Sequence, residues 1–120
     1  MASVEWIEHN GKRILYMNYA YSKYAEVSEA IEKTKQMTAK EPLSSVLGIV
    51  DVRGSPFNRE ISAALKDLAE HNKPYIKMSV VVGVEGIKKV IYQGVMKFTG
   101  RKNLILKDTL EEAKDFLAGL

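Results

Sequence analysis

After an opening hairpin the sequence alternates short apolar runs with stripes at helical spacing, and that rhythm leaves few folds open. Val4 to Glu8 and Arg13 to Asn18 flank His9-Asn10-Gly11-Lys12, and Asn-Gly is the dipeptide that most readily takes the positive φ angles of a tight type I′ turn. In the second strand Ile14, Tyr16 and Asn18 alternate with Leu15, Met17 and Tyr19. Bulk on both faces predicts a strand interior to the sheet. From about Lys23 to Ala39, Val27, Ala30, Ile31, Thr34 and Met37 make one helical stripe, with Ser22 as the expected N-cap and Glu41-Pro42 as the stop. Ser45 to Asp51 reads as a buried parallel strand ending in an acid.

The pattern then repeats. Ile61, Ala64, Leu65 and Leu68 predict a second helix from Asn58 to Asn72-Lys73-Pro74, followed by a buried strand over Met78 to Val82. Ile87, Val90, Ile91, Gly94 and Phe98 form a third stripe that stops at Gly100, and Leu104 to Leu106 is the last strand. Asp108-Thr109-Leu110-Glu111-Glu112 carries capping-box spacing in two registers, ahead of Ala113, Phe116 and Leu117. The order ββαβαβαβα is that of an α/β protein: a mostly parallel, mixed sheet with an N-terminal antiparallel hairpin and right-handed crossover helices.

A chain of 120 residues with 46% hydrophobic and 28% charged side chains can bury one core, so residues 1–120 are expected to form a single domain. Cysteine is absent, which excludes disulfides, thiolate nucleophiles and cysteine-ligated zinc. The N-terminus carries charges within any window long enough for a signal core, and the strongest apolar run, Met78 to Val84, is too short to span a bilayer. A cytoplasmic location is expected. Charge is unevenly distributed: Lys73 to Lys107 contains eight basic residues against Glu85, which puts +7 there and −4 elsewhere in a chain of net +3. A solvated lysine surface accounts for this, as does a landing site for phosphates, acidic headgroups or an acidic partner.

In an open parallel sheet, ligands sit beyond the carboxyl ends of the strands. Two loops are placed there. Asp51 to Asn58 brings together an acid, the guanidinium of Arg53, the flexible Gly54, the hydroxyl of Ser55 and a helix start, all of which a structural strand-to-helix turn also uses. Gly83-Val84-Glu85-Gly86 precedes Ile87-Lys88-Lys89, so Gly83, Glu85, Gly86, Lys88 and Lys89 are candidate ligand contacts beside a helix N-terminus. This G-x-x-G also has the spacing of the loop in KH RNA-binding domains. There it joins two helices, whereas Met78 to Val82 reads as a strand, so nucleic acid is not favoured. Asp51 and Glu85 could in principle make an acid/base pair, but nothing in their spacing sets a separation. His9 and His71 lack metal-ligand spacing, and no metal site or cofactor is expected. Tyr19, Tyr21 and Tyr24 cluster at the end of the second strand, as core rim, cleft lining or dimer contact.

Ser45 to Gly54, Asn72-Lys73-Pro74-Tyr75, Ser79 to Gly86 and Phe98-Thr99-Gly100-Arg101-Lys102 resemble the SpoIIAA-like family of small bacterial proteins. That family belongs to the STAS superfamily, whose fold resembles the lipid-binding CRAL-TRIO type. The resemblance spans nearly the whole chain and implies a non-enzymatic regulatory or ligand-binding module, with an anionic or amphipathic, lipid-like small molecule as ligand and a regulatory protein or a second copy as partner. Anti-sigma factor antagonists of the superfamily carry a phosphorylated serine in a D-S-[S/T]-G motif after the central strand. Here that place reads Asp51-Val52-Arg53-Gly54-Ser55-Pro56, a different order in which Ser55 is the phosphorylation candidate of a partner-switching alternative.

Overall fold

A computed structural model describes residues 2–55, 58–85, 89 and 103–120. Strands β1 (Ser3–His9) and β2 (Lys12–Asn18) form the opening hairpin, followed by α1 (Tyr24–Thr38), β3 (Val46–Asp51), α2 (Arg59–Asn72), β4 (Ile76–Val82), β5 (Leu104–Lys107) and α3 (Leu110–Ala118). The five strands lie side by side in sequence order, β1 antiparallel to β2 and the other neighbours parallel. The α/β class and the mixed sheet are as the hydrophobic rhythm predicts. The helix expected over Ile87 to Phe98, with Gly94 and its stop at Gly100, lies outside the described residues.

Local chemistry sets the element boundaries. Asn10 (φ 49°) and Gly11 (φ 81°) turn the hairpin in the left-handed region, as expected of Asn-Gly. Asn58 caps α2 by accepting from the Ile61 amide at 2.9 Å. Thr109 caps α3 through the Glu112 amide at 3.1 Å, so the Thr109 register of the capping box wins over that of Asp108. Ser22 is not the N-cap of α1. Its buried hydroxyl donates instead to the Ala20 carbonyl at 2.9 Å, and the residue preceding the helix is Lys23, whose amide donates to the Glu26 carboxylate. Strand β4 begins two residues before the apolar run, because Tyr75 and Pro74 carbonyls hold Ser44, Ser45 and Val46 in line ahead of it.

The helices cover both faces of the sheet. On one face α1 and α2 bury Val27, Ala30, Ile31, Ile61 and Leu68 against Leu15, Met17, Val46 and Ile76. On the other, Ala113 and Leu117 of α3 sit on Ile14, Leu47, Ile49, Val80 and Val82. This is why β3 reads as an unbroken apolar run: both of its faces are covered. Tyr19 is buried with the α1 layer and its hydroxyl pairs with that of Thr34 at 2.7 Å. The hairpin turn clasps α3, His9 Nε2 lying 2.8 Å from Asp115 Oδ1 and Lys12 Nζ donating to the Leu120 carbonyl.

Because α3 covers its face with few large side chains, truncating one fully buried anchor isolates its contribution. Leu117→Ala is expected to lower unfolding free energy by about 2–5 kcal/mol, measured as a lower urea midpoint with unchanged slope.

Candidate functional site

Strands β2 to β5 run parallel, so Asn18, Asp51, Val82 and Lys107 end at one rim, and α1 and α2 both start there. Backbone bonds hold the loops of this rim together: the Tyr19 and Tyr21 amides donate to the Asp51 and Arg53 carbonyls, and the Val52 amide donates to Val82. Val52 and Val84, one from each loop, are buried with Val81 in a small cluster. The two glycine-bearing turns therefore meet. A Cβ on Gly83 (φ 92°) would lie 2.3 to 2.8 Å from the Cγ, amide and Cα of Arg53, so only glycine lets the second loop cross the first this closely. Gly54 (φ 64°) faces Tyr21 in the same way, its virtual Cβ 2.2 Å from the Tyr21 ring.

The centre of the rim is a charge cluster. Asp51 ends β3 on the side facing the α3 layer and its side chain is 0% exposed. A buried carboxylate needs its oxygens satisfied. Arg53 donates from Nε to Oδ1 and Oδ2 at 2.9 and 3.1 Å and from Nη2 to Oδ2 at 2.7 Å, while its backbone amide donates to Oδ1 at 3.2 Å. The Tyr16 hydroxyl, from β2, donates to Oδ2 at 2.8 Å. Burial opposes ionisation of Asp51, but the hydrogen bonds from Arg53 and Tyr16 and the Arg53 charge outweigh it and hold the carboxyl below the usual aspartate range. Burial, the bond to Asp51 and its charge push the Tyr16 phenol up to about 12, and the same carboxylate raises the Arg53 guanidinium. Asp51 thus anchors a permanent cation. It is not available as a general acid or base, and among the described residues nothing brings Glu85, exposed beyond Val84, into a pair with it.

Arg53 itself is 42% exposed. Asp51 occupies the Nε–Nη2 edge of the fork and fixes its orientation, so an oriented, partly exposed guanidinium is presented at the surface. Ser55 is 9% exposed and its hydroxyl donates to the Tyr19 carbonyl at 2.8 Å. Lys89 Nζ lies 3.2 Å from the Asp108 carboxylate, just beyond β5. Gly86 and Lys88 lie outside the described residues. Among the described residues no group of three or more His, Asp or Glu side chains could hold a metal ion, and no helix is long and apolar enough to cross a membrane.

One tyrosine of this rim escapes a reading of the sequence, and a cluster that the sequence does single out is split by the fold. Tyr16 reads there only as strand bulk, because its bond to Asp51 depends on β2–β3 register. The tyrosine cluster divides: Tyr19 is core, whereas Tyr21 is 73% exposed with φ 54°, lying against Gly54 beside Arg53.

The sequence matches no protein-family model and no curated protein. By structure the chain is similar to an anti-sigma-factor antagonist (STAS) domain protein from Planctomyces limnophilus, with a TM-score of 0.64, 11% identity, and 98% of this chain and 99% of that one covered. The chain therefore has the STAS fold, as the resemblance in its sequence implies.

Removing the guanidinium would strand the Asp51 charge. Arg53→Ala is expected to cost about 2–4 kcal/mol at neutral pH, below the value for a wholly buried pair because Arg53 is partly solvated. Asp51 has a native pKa below its unfolded one, so its contribution is present above the ordinary aspartate range and fades as pH falls through the native value. The gap between wild type and Arg53→Ala should therefore narrow in acid, which chemical denaturation at a series of pH values reads directly.

Proposed function

We propose that the chain is a non-enzymatic regulatory or ligand-binding module that takes an anionic or amphipathic small molecule at the rim formed by the Asp51–Asn58 and Gly83–Lys89 loops. The observation that carries this reading is the Asp51-anchored, half-exposed Arg53 guanidinium. A phosphate or carboxylate meeting it finds donors whose orientation is already set, so little side-chain entropy is lost on binding. Arg53, Gly54, Ser55, Gly83, Glu85, Gly86, Lys88 and Lys89 are the residues assigned to the site. The P. limnophilus protein of similar structure is an anti-sigma-factor antagonist (STAS) domain protein, which supports a regulatory role, and a protein partner is compatible with the same rim.

Titrating inorganic phosphate, a lysophospholipid and a fatty acid into isotopically labelled protein tests the assignment. At least one is expected to shift the amides of residues 53–55 and 83–85, and Arg53→Ala to weaken it about 10- to 100-fold, the value of a charge-assisted hydrogen bond. Arg53→Lys, which keeps a cation beside Asp51, controls for folding. Full affinity in both Arg53→Ala and Lys88→Ala would reject the rim as the site.

A second reading, partner switching by phosphorylation of Ser55, is favoured by one contact. The Ser55 hydroxyl ties the loop after β3 to the backbone at the end of β2, so a phosphoryl group there would break that tie and add charge beside Arg53. Incubation with cognate serine kinases should then yield a singly phosphorylated chain modified at Ser55 by mass spectrometry, and no modification of Ser55→Ala. Phosphate at another residue, or none, would remove this reading.

A further inference from the structure

We propose that Tyr21 makes the rim selective for anions that carry an aromatic ring, the anion meeting Arg53 and the ring lying on the Tyr21 side chain. This rests on the anion-binding rim proposed above and names the class of ligand it takes.

Tyr21 combines two features that packing alone does not account for. Its side chain is 73% exposed, and its backbone is left-handed at φ 54°. That conformation is strained for a bulky side chain, and Gly or Asn fills such a turn at less cost. Two contacts hold it in place. The Tyr21 amide donates to the Arg53 carbonyl at 2.8 Å, and a Cβ on Gly54 would come within 2.2 and 2.3 Å of ring atoms Cδ1 and Cε1. One edge of the ring therefore rests on the residue after Arg53 while most of its surface stays in water. So little burial offsets the strain only weakly, and residues held in such conformations cluster at ligand sites.

The position of the ring fits that role. Four large hydrophobic side chains are exposed among the described residues, Tyr21, Tyr24, Leu43 and Leu120. Both tyrosines lie at the rim, at the end of β2 and the start of α1, whereas Leu43 precedes β3 and Leu120 follows α3 at the opposite end of the sheet. Arg53 leaves the same short stretch of chain in another direction, its Cγ against Gly83 and its guanidinium on Asp51. An oriented cation and an open aromatic face thus flank residues 53 and 54. An alkyl chain laid on an open ring keeps much of its surface wet and gains little. A planar ring meets the tyrosine in stacked or edge-to-face geometry, which adds to the area it buries.

The test compares ligands that differ only in the ring. Phenyl, benzyl and phenethyl phosphate, and benzoate and phenylacetate, are each titrated into isotopically labelled protein beside the cyclohexyl analogue of the same length, so that phosphate and carboxylate are read separately. At least one aryl anion is expected to bind about 3- to 10-fold more tightly than its cyclohexyl partner, with intermolecular Overhauser contacts between its ring and that of Tyr21. Tyr21→Phe should keep this ratio. Tyr21→Asn, which suits the left-handed backbone but has no ring, should bring it to about one. Equal affinity for aryl and cyclohexyl anions in the wild type, or a preference that Tyr21→Asn retains, would overturn the ring proposal and leave the rim standing wherever Arg53→Ala still weakens binding. Binding by none of these anions, or binding that Arg53→Ala leaves unchanged, would overturn the rim and the ring proposal together. If Tyr21→Asn does not fold, the Overhauser contacts decide, and their absence in a bound aryl complex overturns the proposal.

Discussion

A carboxylate buried at the carboxyl end of the central strand governs the rim of this protein. Asp51 lies between two covered layers with none of its side chain exposed, in surroundings that penalise an unpaired charge by several kcal/mol, on the order of a whole domain's margin of stability. Its ionised form persists because Arg53 returns over it with two hydrogen-bonding nitrogens and a backbone amide while Tyr16 closes the remaining lone pair. The loop after β3 cannot take another path without exposing that charge deficit. The same bonds orient Arg53 toward solvent.

The neighbouring loop is shaped by its approach to Arg53. Gly83 supplies a left-handed backbone and an empty Cβ position where the Arg53 backbone passes, and Val84 then enters the small valine cluster with Val52. Tyr21, in a left-handed conformation itself, lies over Gly54 on the other side. Packing, not hydrogen bonding alone, thus brings three separate stretches of chain to one rim, and the parallel sheet guarantees that helix N-termini meet there too. The hairpin end carries a different kind of chemistry, an aromatic ring under a guanidinium beside the first strand's outer edge.

Most of the architecture was legible because its determinants are local. Asn10-Gly11 requires positive φ angles, the stripe through Val27, Ala30 and Ile31 repeats every helical turn, and Asn58 and Thr109 cap the first amides of their own helices. Each signal is complete within a few residues. Ser22 misleads for the same reason: its type suits a cap, but a carbonyl two residues upstream competes for the hydroxyl, and only the folded turn shows which wins.

Local signals along the chain suffice for the order of the described elements, the buried character of β3 and the candidate loops with Arg53, Gly54, Ser55, Gly83 and Glu85, since periodicity and turn chemistry act over short distances. Tertiary structure alone decided what those residues do to one another. That Tyr16 meets Asp51 depends on the parallel register of β2 and β3, that Gly83 yields to Arg53 depends on two loops crossing, and that Ser55 bonds Tyr19 joins residues 36 apart. Such contacts are set by how layers pack, and packing depends on the summed fit of many side chains that no short window of sequence contains.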